Sequence, residues 1–205
     1  MLDIEVVSDV VCPWCLIGTA RLGQALAERK DLEARVRFSP FLLQPSVPEE
    51  GVDLRDHLRN KYGGDPDRMF ARVEAEARSS GIALDFAKIR RFPSTLRAHA
   101  LIDLAGAAQG RIARALFDAY FLEGRDISDR EVLVEIGAAQ GLEPGDVRAA
   151  ITDAARLARV RSLAEAQVRR GVTGVPFFVL DERLAIPGAV PIEVFRRALD
   201  QALAS

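Results

Sequence analysis

Two cysteines, the only ones in 205 residues, stand three positions apart in Cys12-Pro13-Trp14-Cys15, and their flanks fix where in a fold such a pair can sit. Leu2 to Val7 is short, β-rich and partly alternating, and it ends at Ser8-Asp9, which reads as a strand. Pro13 has the fixed φ and the missing N–H that suit a first helical position. Leu16, Ala20, Leu22, Leu26 and Ala27 then continue at roughly helical spacing. Cys12 therefore falls at a helix N-terminus, where unpaired N–H groups and the positive end of the helix dipole favour a thiolate over a thiol. Cys15, one turn further in, is expected to be the more buried and suits a resolving role.

A pair at this spacing closes a disulfide without moving the backbone far, so it forms a reversible redox unit. A structural staple is disfavoured, because so short a loop removes little entropy from the unfolded chain. A metal site needs about four ligands; besides the pair the chain offers His57 and His99, neither at finger-like spacing, and no metal is expected.

The length suits one compact domain or a small domain carrying an insertion, and 49% hydrophobic residues supply a core. Lys and Arg number 28 against 30 Asp and Glu, a net charge of −2 without long runs of either sign, so no nucleic-acid partner is implied. The paired arginines (Arg90-Arg91, Arg169-Arg170, Arg196-Arg197) read as solvated helix faces or ends. No apolar run approaches membrane-spanning length, so no membrane partner is expected. Met1-Leu2-Asp3 enters a strand without a basic leader, which predicts a cytoplasmic location. In that compartment a CxxC pair is expected to be catalytic or redox-sensing.

Leu32 to Leu43 reads as a second strand, with Ala34, Val36 and Phe38 alternating against charges before Gln44-Pro45-Ser46-Val47-Pro48 breaks it. The unit is βαβ, which requires a parallel pair and a crossover. From about Val52 to Arg170 the pattern is helical throughout. Asp65-Pro66 and Ser128, the latter with Glu131 as a capping box, are predicted helix starts, and Gly81, Gly110 and Gly141 predicted helix ends. Strand character returns at Pro176 to Leu180, turns at Asp181-Glu182-Arg183 and resumes at Leu184 to Ile186. An amphipathic helix from about Pro191 to Leu203 follows, with Val194, Phe195, Ala198 and Leu199 inward.

The predicted fold class is α/β: a βαβ half (1–48), a large inserted all-helical domain (49–170) and a ββα half (171–205). That order resembles the thioredoxin fold of the DsbA-like superfamily, whose members carry a helical insertion. Ser8-Asp9-Val10-Val11-Cys12-Pro13-Trp14-Cys15-Leu16-Ile17-Gly18 is similar to the opening motif of the FrnE-like dithiol–disulfide oxidoreductases in that superfamily. Phe41-Leu42-Leu43-Gln44-Pro45, Arg97-Ala98-His99, the Phe117 to Gly124 run and Gly171-Val172-Thr173-Gly174-Val175-Pro176-Phe177-Phe178 match as well. The resemblance implies that the Val175–Pro176 bond is cis and borders Cys12. There the backbone of the preceding residue is free to pair with an extended substrate. It further implies that Pro13, Trp14, Val175, Pro176 and Phe177 form the substrate surface.

The chain also departs from the pattern. Where thioredoxin and DsbA have an acid six residues before the nucleophile, this chain has Val6, with Glu5 and Asp9 nearby and Asp9 the candidate for proton transfer. Pro-Trp stands where DsbA has Pro-His. Gln44-Pro45 and Pro93-Ser94-Thr95 replace the usual Asn-Pro and Pro-Asn-Thr.

The leading expectation is a thiol–disulfide oxidoreductase. Cys12 attacks a protein or small-molecule disulfide and Cys15 resolves the mixed disulfide. The redox pair needs no bound cofactor; glutathione is a candidate co-substrate and a homodimer a candidate assembly. The alternative is a glutathione-dependent isomerase or transferase resembling 2-hydroxychromene-2-carboxylate isomerase and the kappa-class glutathione transferases. Those generally use a single serine or cysteine, and Ile186-Pro187-Gly188-Ala189 lacks the Trp-Gly-x-Asp-Arg segment of the isomerases. A third reading is a helical interaction module in which the pair is a relic.

Overall fold

The strand expected at the N-terminus is the centre of the molecule. In a computed structural model, which describes residues 1–203, β1 (Leu2–Ser8) leads through α1 (Pro13–Ala27) to β2 (Ala34–Pro40). β1 and β2 pair in parallel, with Ile4 opposite Val36 and Val6 opposite Phe38. On its other edge β1 pairs antiparallel with β5 (Phe177–Leu180), which continues through a hairpin to β6 (Leu184–Pro187), giving the sheet order β2-β1-β5-β6. α9 (Ile192–Leu203) is the last element among the described residues. The β5–β6 turn requires positive φ at its centre, and Asp181 (46°) and Glu182 (57°) supply it. The Asp181 carboxylate and backbone N–H also clasp the Asp3 backbone, at 2.9 and 2.8 Å.

Side-chain alternation sorts β1 onto two faces. Ile4 and Val6 join Leu22 and Ala25 of α1, Phe178 and Ile186 of the hairpin, and Phe195 and Leu199 of α9 in one apolar core. Phe178 and Phe195 meet edge to face, centroids 4.9 Å apart. Glu5 lies on the other face, 2% exposed; it accepts from Ser39 and Gln167 and pairs with Arg37 at 3.0 Å and Arg170 at 3.2 Å. Burial works against its charge, but the Ser39 hydroxyl and the two guanidinium groups outweigh it and hold the carboxyl below the usual range.

Between the halves run α2 (Leu54–Tyr62), α3 (Pro66–Ser79), α4 (Leu96–Leu104), α5 (Gln109–Phe121), α6 (Arg130–Ala139), α7 (Pro144–Thr152) and α8 (Ala154–Arg169). The stretch is not helical throughout: β3 (Val52–Asp53) and β4 (Arg91–Phe92) pair antiparallel. Pro93 biases Phe92 toward extended backbone. Gly51 (φ +73°) admits the contact, since a Cβ there would lie 2.8 Å from the Phe92 carbonyl.

Two helix ends differ from the sequence reading. Asp129, not Ser128, caps α6, its carboxylate accepting from the Glu131 N–H at 2.8 Å, while Ser128 bonds Asp126. Gly110 is the second residue of α5; the break before that helix falls at Gly106, where φ is +52°. Asp65 and Pro66 do start α3, and Gly81 and Gly141 follow α3 and α6 in the left-handed conformation.

The helices reach the sheet through one large apolar core. It takes in Val10, Val11, Cys12, Cys15, Leu16 and Ile17 together with Leu101, Leu116, Phe117 and Phe121. Arg21 fastens the seam: it is 8% exposed, pairs with Glu76, and donates to Ser80 at the end of α3 and to the Ala189 carbonyl before α9, both at 2.9 Å.

Candidate active site

β1 ends at Ser8, and the chain turns tightly at Asp9, whose carbonyl accepts from the Cys12 N–H at 2.9 Å. Cys12 is the N-cap of α1 in extended conformation (φ −89°, ψ 111°) and Pro13 opens the helix without needing a donor. The Cys12 carbonyl accepts from Cys15 at 3.0 Å and Leu16 at 3.2 Å, so the two thiols share one helical turn. Both are free thiols.

The second wall is the segment leading into β5. The Val175–Pro176 peptide bond is cis, and the Cys12 thiol donates to the Val175 carbonyl at 3.6 Å. Gly18 sets how closely helix and segment approach: a Cβ there would lie 3.0 Å from Pro176 Cγ and 3.1 Å from the Phe178 ring. Cys12, Cys15, Val175 and buried Pro176 are thus gathered at one place. Pro13 and Trp14 are half-buried beside them, Trp14 packed on the large core. Phe177, one residue along the strand, joins Val7, Phe41 and Val172 in a separate small apolar cluster.

The thiols differ in surroundings. Cys12 is 4% exposed, while Cys15 has no exposed surface. Burial pushes the Cys15 thiol well up, the adjacent Cys12 sulfur adds to this, and the Asp9 backbone N–H works against it.

Asp9 is itself 1% exposed. One carboxylate oxygen accepts from the Leu43 N–H at 2.8 Å; the other lies 3.4 Å from Nε2 of His99, which is 4% exposed on α4. His99 is the residue that sequence reasoning overlooked. It stood in the matched Arg97-Ala98-His99 motif, but nothing in its local pattern connects it to a turn ninety residues away.

These features, a cysteine pair opening the first helix opposite a cis-proline, lie within a sequence match to the DSBA-like thioredoxin domain over residues 3–200. The chain belongs to that family. It is 27% identical over 201 residues, 97% of this chain and 96% of the relative, to the uncharacterized protein YwbO of Bacillus subtilis. The crystal structure of a probable DsbA oxidoreductase from Streptomyces coelicolor matches with a TM-score of 0.89 and 33% identity, covering 100% of this chain and 91% of that one. Two more distant structures share the fold. A 2-hydroxychromene-2-carboxylate isomerase has a TM-score of 0.74 and 16% identity over 98% of this chain and 96% of its own. The cytosolic disulfide reductase DsbM of Pseudomonas aeruginosa, solved with glutathione, has 0.68 and 20% over 99% and 100%. Among the described residues no helix is long and apolar enough to cross a membrane.

Proposed function

We propose that this chain is a dithiol–disulfide oxidoreductase whose redox unit is Cys12 and Cys15. The observation that carries the reading is the asymmetry of the pair: Cys12 stands at the helix start against the Val175 carbonyl, and Cys15 lies sealed one turn behind it. Cys12 as thiolate attacks one sulfur of a substrate disulfide and releases the other as a thiol, leaving a mixed disulfide. Cys15 then loses its proton and attacks Cys12 Sγ; the bond to the substrate breaks and its electron pair leaves with the second thiol. Two electrons pass from the dithiol to the substrate, and the reverse sequence oxidises a dithiol.

In this reading Pro13, Trp14, Val175, Pro176 and Phe177 receive the substrate, the backbone at Val175 pairing with an extended chain. Asp9 handles the resolving proton. Substrates are protein or small-molecule disulfides, and glutathione serves as a thiol co-substrate in place of any bound cofactor. The cytosolic setting and glutathione named for the DsbM structure support a cytoplasmic role.

The test is trapping. Cys15→Ala is expected to accumulate a covalent adduct through Cys12 with glutathione disulfide or a disulfide-bonded protein, seen by mass spectrometry, and Cys12→Ala to lose both turnover and trapping. A glutathione-activating isomerase has no need of a resolving thiol. Glutathione conjugation or chromene isomerisation that survives undiminished in Cys15→Ala, with no trapped adduct, would overturn the dithiol reading in favour of that one.

A further inference from the structure

The proton on Cys15 must leave before that sulfur can attack, yet the residue has no contact with solvent. The polar groups behind it form a short path. The Asp9 backbone faces the Cys15 sulfur, and Asp9 Oδ1 points to His99 Nε2 at 3.4 Å. Neither of these two atoms has a hydrogen-bond partner although both are buried. Two buried polar atoms left without partners and facing each other in a core are costly, and a small approach makes them a hydrogen bond in whichever direction the proton lies. His99 also lines a cavity of about 260 Å³ formed where β2, α4 and α8 meet.

The other polar groups along this route are already engaged. Tyr120 of α5 donates to the Arg91 carbonyl at 2.9 Å. At the cavity wall Arg37 and Ser39 hold Glu5, Gln109 accepts from the Phe38 N–H at 3.0 Å, and Asp103 pairs with Arg156 and Arg159. His99 is the proton acceptor left between the buried carboxylate and the cavity.

We propose that Asp9 and His99 form a proton exit for the resolving cysteine, delivering its proton through the helical segment to the cavity behind β2. The inference rests on the dithiol reading above. The proton passes from Cys15 Sγ to the Asp9 carboxylate, then to the His99 imidazole, then to solvent in the cavity. The thiolate left behind forms the Cys12–Cys15 bond, and the substrate thiolate expelled from Cys12 takes a proton from solvent. His99 touches neither sulfur; it is a positioning residue acting through Asp9.

Rapid mixing of the reduced protein with dithiobis(nitrobenzoate) separates the two steps, because Cys12 attack and Cys15 resolution each release one coloured thiolate. His99→Ala is expected to leave the first release intact and slow the second by about a hundredfold, the lower end of general-base effects. Added imidazole should restore it, and the deficit should shrink as pH rises and hydroxide replaces the relay. His99→Gln, which keeps polar volume without a transferable proton, should show the same slow phase. Wild type should slow its second release in deuterated solvent whether or not the variants fold.

A second release at wild-type rate in either folded variant, or one insensitive to deuterium in wild type, overturns the relay while the two releases leave the dithiol reading standing. A single release in wild type, with no adduct trapped by Cys15→Ala, overturns both.

Discussion

Helix α1 contains two glycines five residues apart, and replacing each by alanine should have different consequences. Gly23 is exposed, and a Cβ added there would meet nothing within 4 Å, so Gly23→Ala gains helix propensity alone, about 1 kcal/mol. Gly18→Ala gains the same propensity but sets a methyl 3.0 Å from Pro176 Cγ and 3.1 Å from Phe178 Cζ. The Pro176 ring moves only with its backbone, and the buried Phe178 ring is held against Phe195. Overpacking of this kind costs about 1–3 kcal/mol. Because the propensity gain is common to both variants, the difference between them isolates that cost. Gly18→Ala should unfold about 1–3 kcal/mol more easily than Gly23→Ala in urea. In a chain of this size that is about 2–12 °C in Tm. Displacing Pro176 also loosens the Cys12–Val175 contact, so Gly18→Ala alone should alter the rate of Cys12 attack on dithiobis(nitrobenzoate). Equal stabilisation by the two substitutions would show that the helix does not press on Pro176, and that some other contact sets the distance between the two walls.

Glu5→Gln should destabilise by roughly 1–3 kcal/mol at neutral pH, the half-exposed Arg37 and Arg170 being partly compensated by water. Since folding lowers the Glu5 pKa, its contribution is present above the unfolded value and is lost as pH falls through the folded one. Denaturation curves of wild type and variant should therefore converge in acid, and a gap that persists there refutes the assignment. Asp129→Ala should cost about 1 kcal/mol and Ser128→Ala less, measured by thermal unfolding; the reverse order would restore Ser128 as the cap of α6. Phe195→Ala should cost about 3–5 kcal/mol in chemical denaturation, since it empties the space between α9 and the sheet.

Local chemistry determined a good part of this protein. The strand before Cys12, the helix opened by Pro13, the alternation of Ala34, Val36 and Phe38, and the turn at Asp181-Glu182 all depend on residues within a few positions of each other. Periodicity and backbone preference suffice for such elements. The closeness of the two cysteines was legible for the same reason, because they share one helical turn. Competing caps were not legible: Ser128 and Asp129 both offer an N-cap oxygen, and the choice fell to Asp129 once Ser128 was held by Asp126. The β3–β4 pairing was hidden as well, since two-residue strands have no period and this one joins positions about forty residues apart. Only the tertiary structure buried Glu5 among two arginines and brought His99 to Asp9. Such contacts come from chain closure across an apolar core, which leaves no spacing in the sequence to read. Burial, which separates the two thiols and leaves a carboxylate facing an imidazole in the core, is a property of that closure and of no single segment.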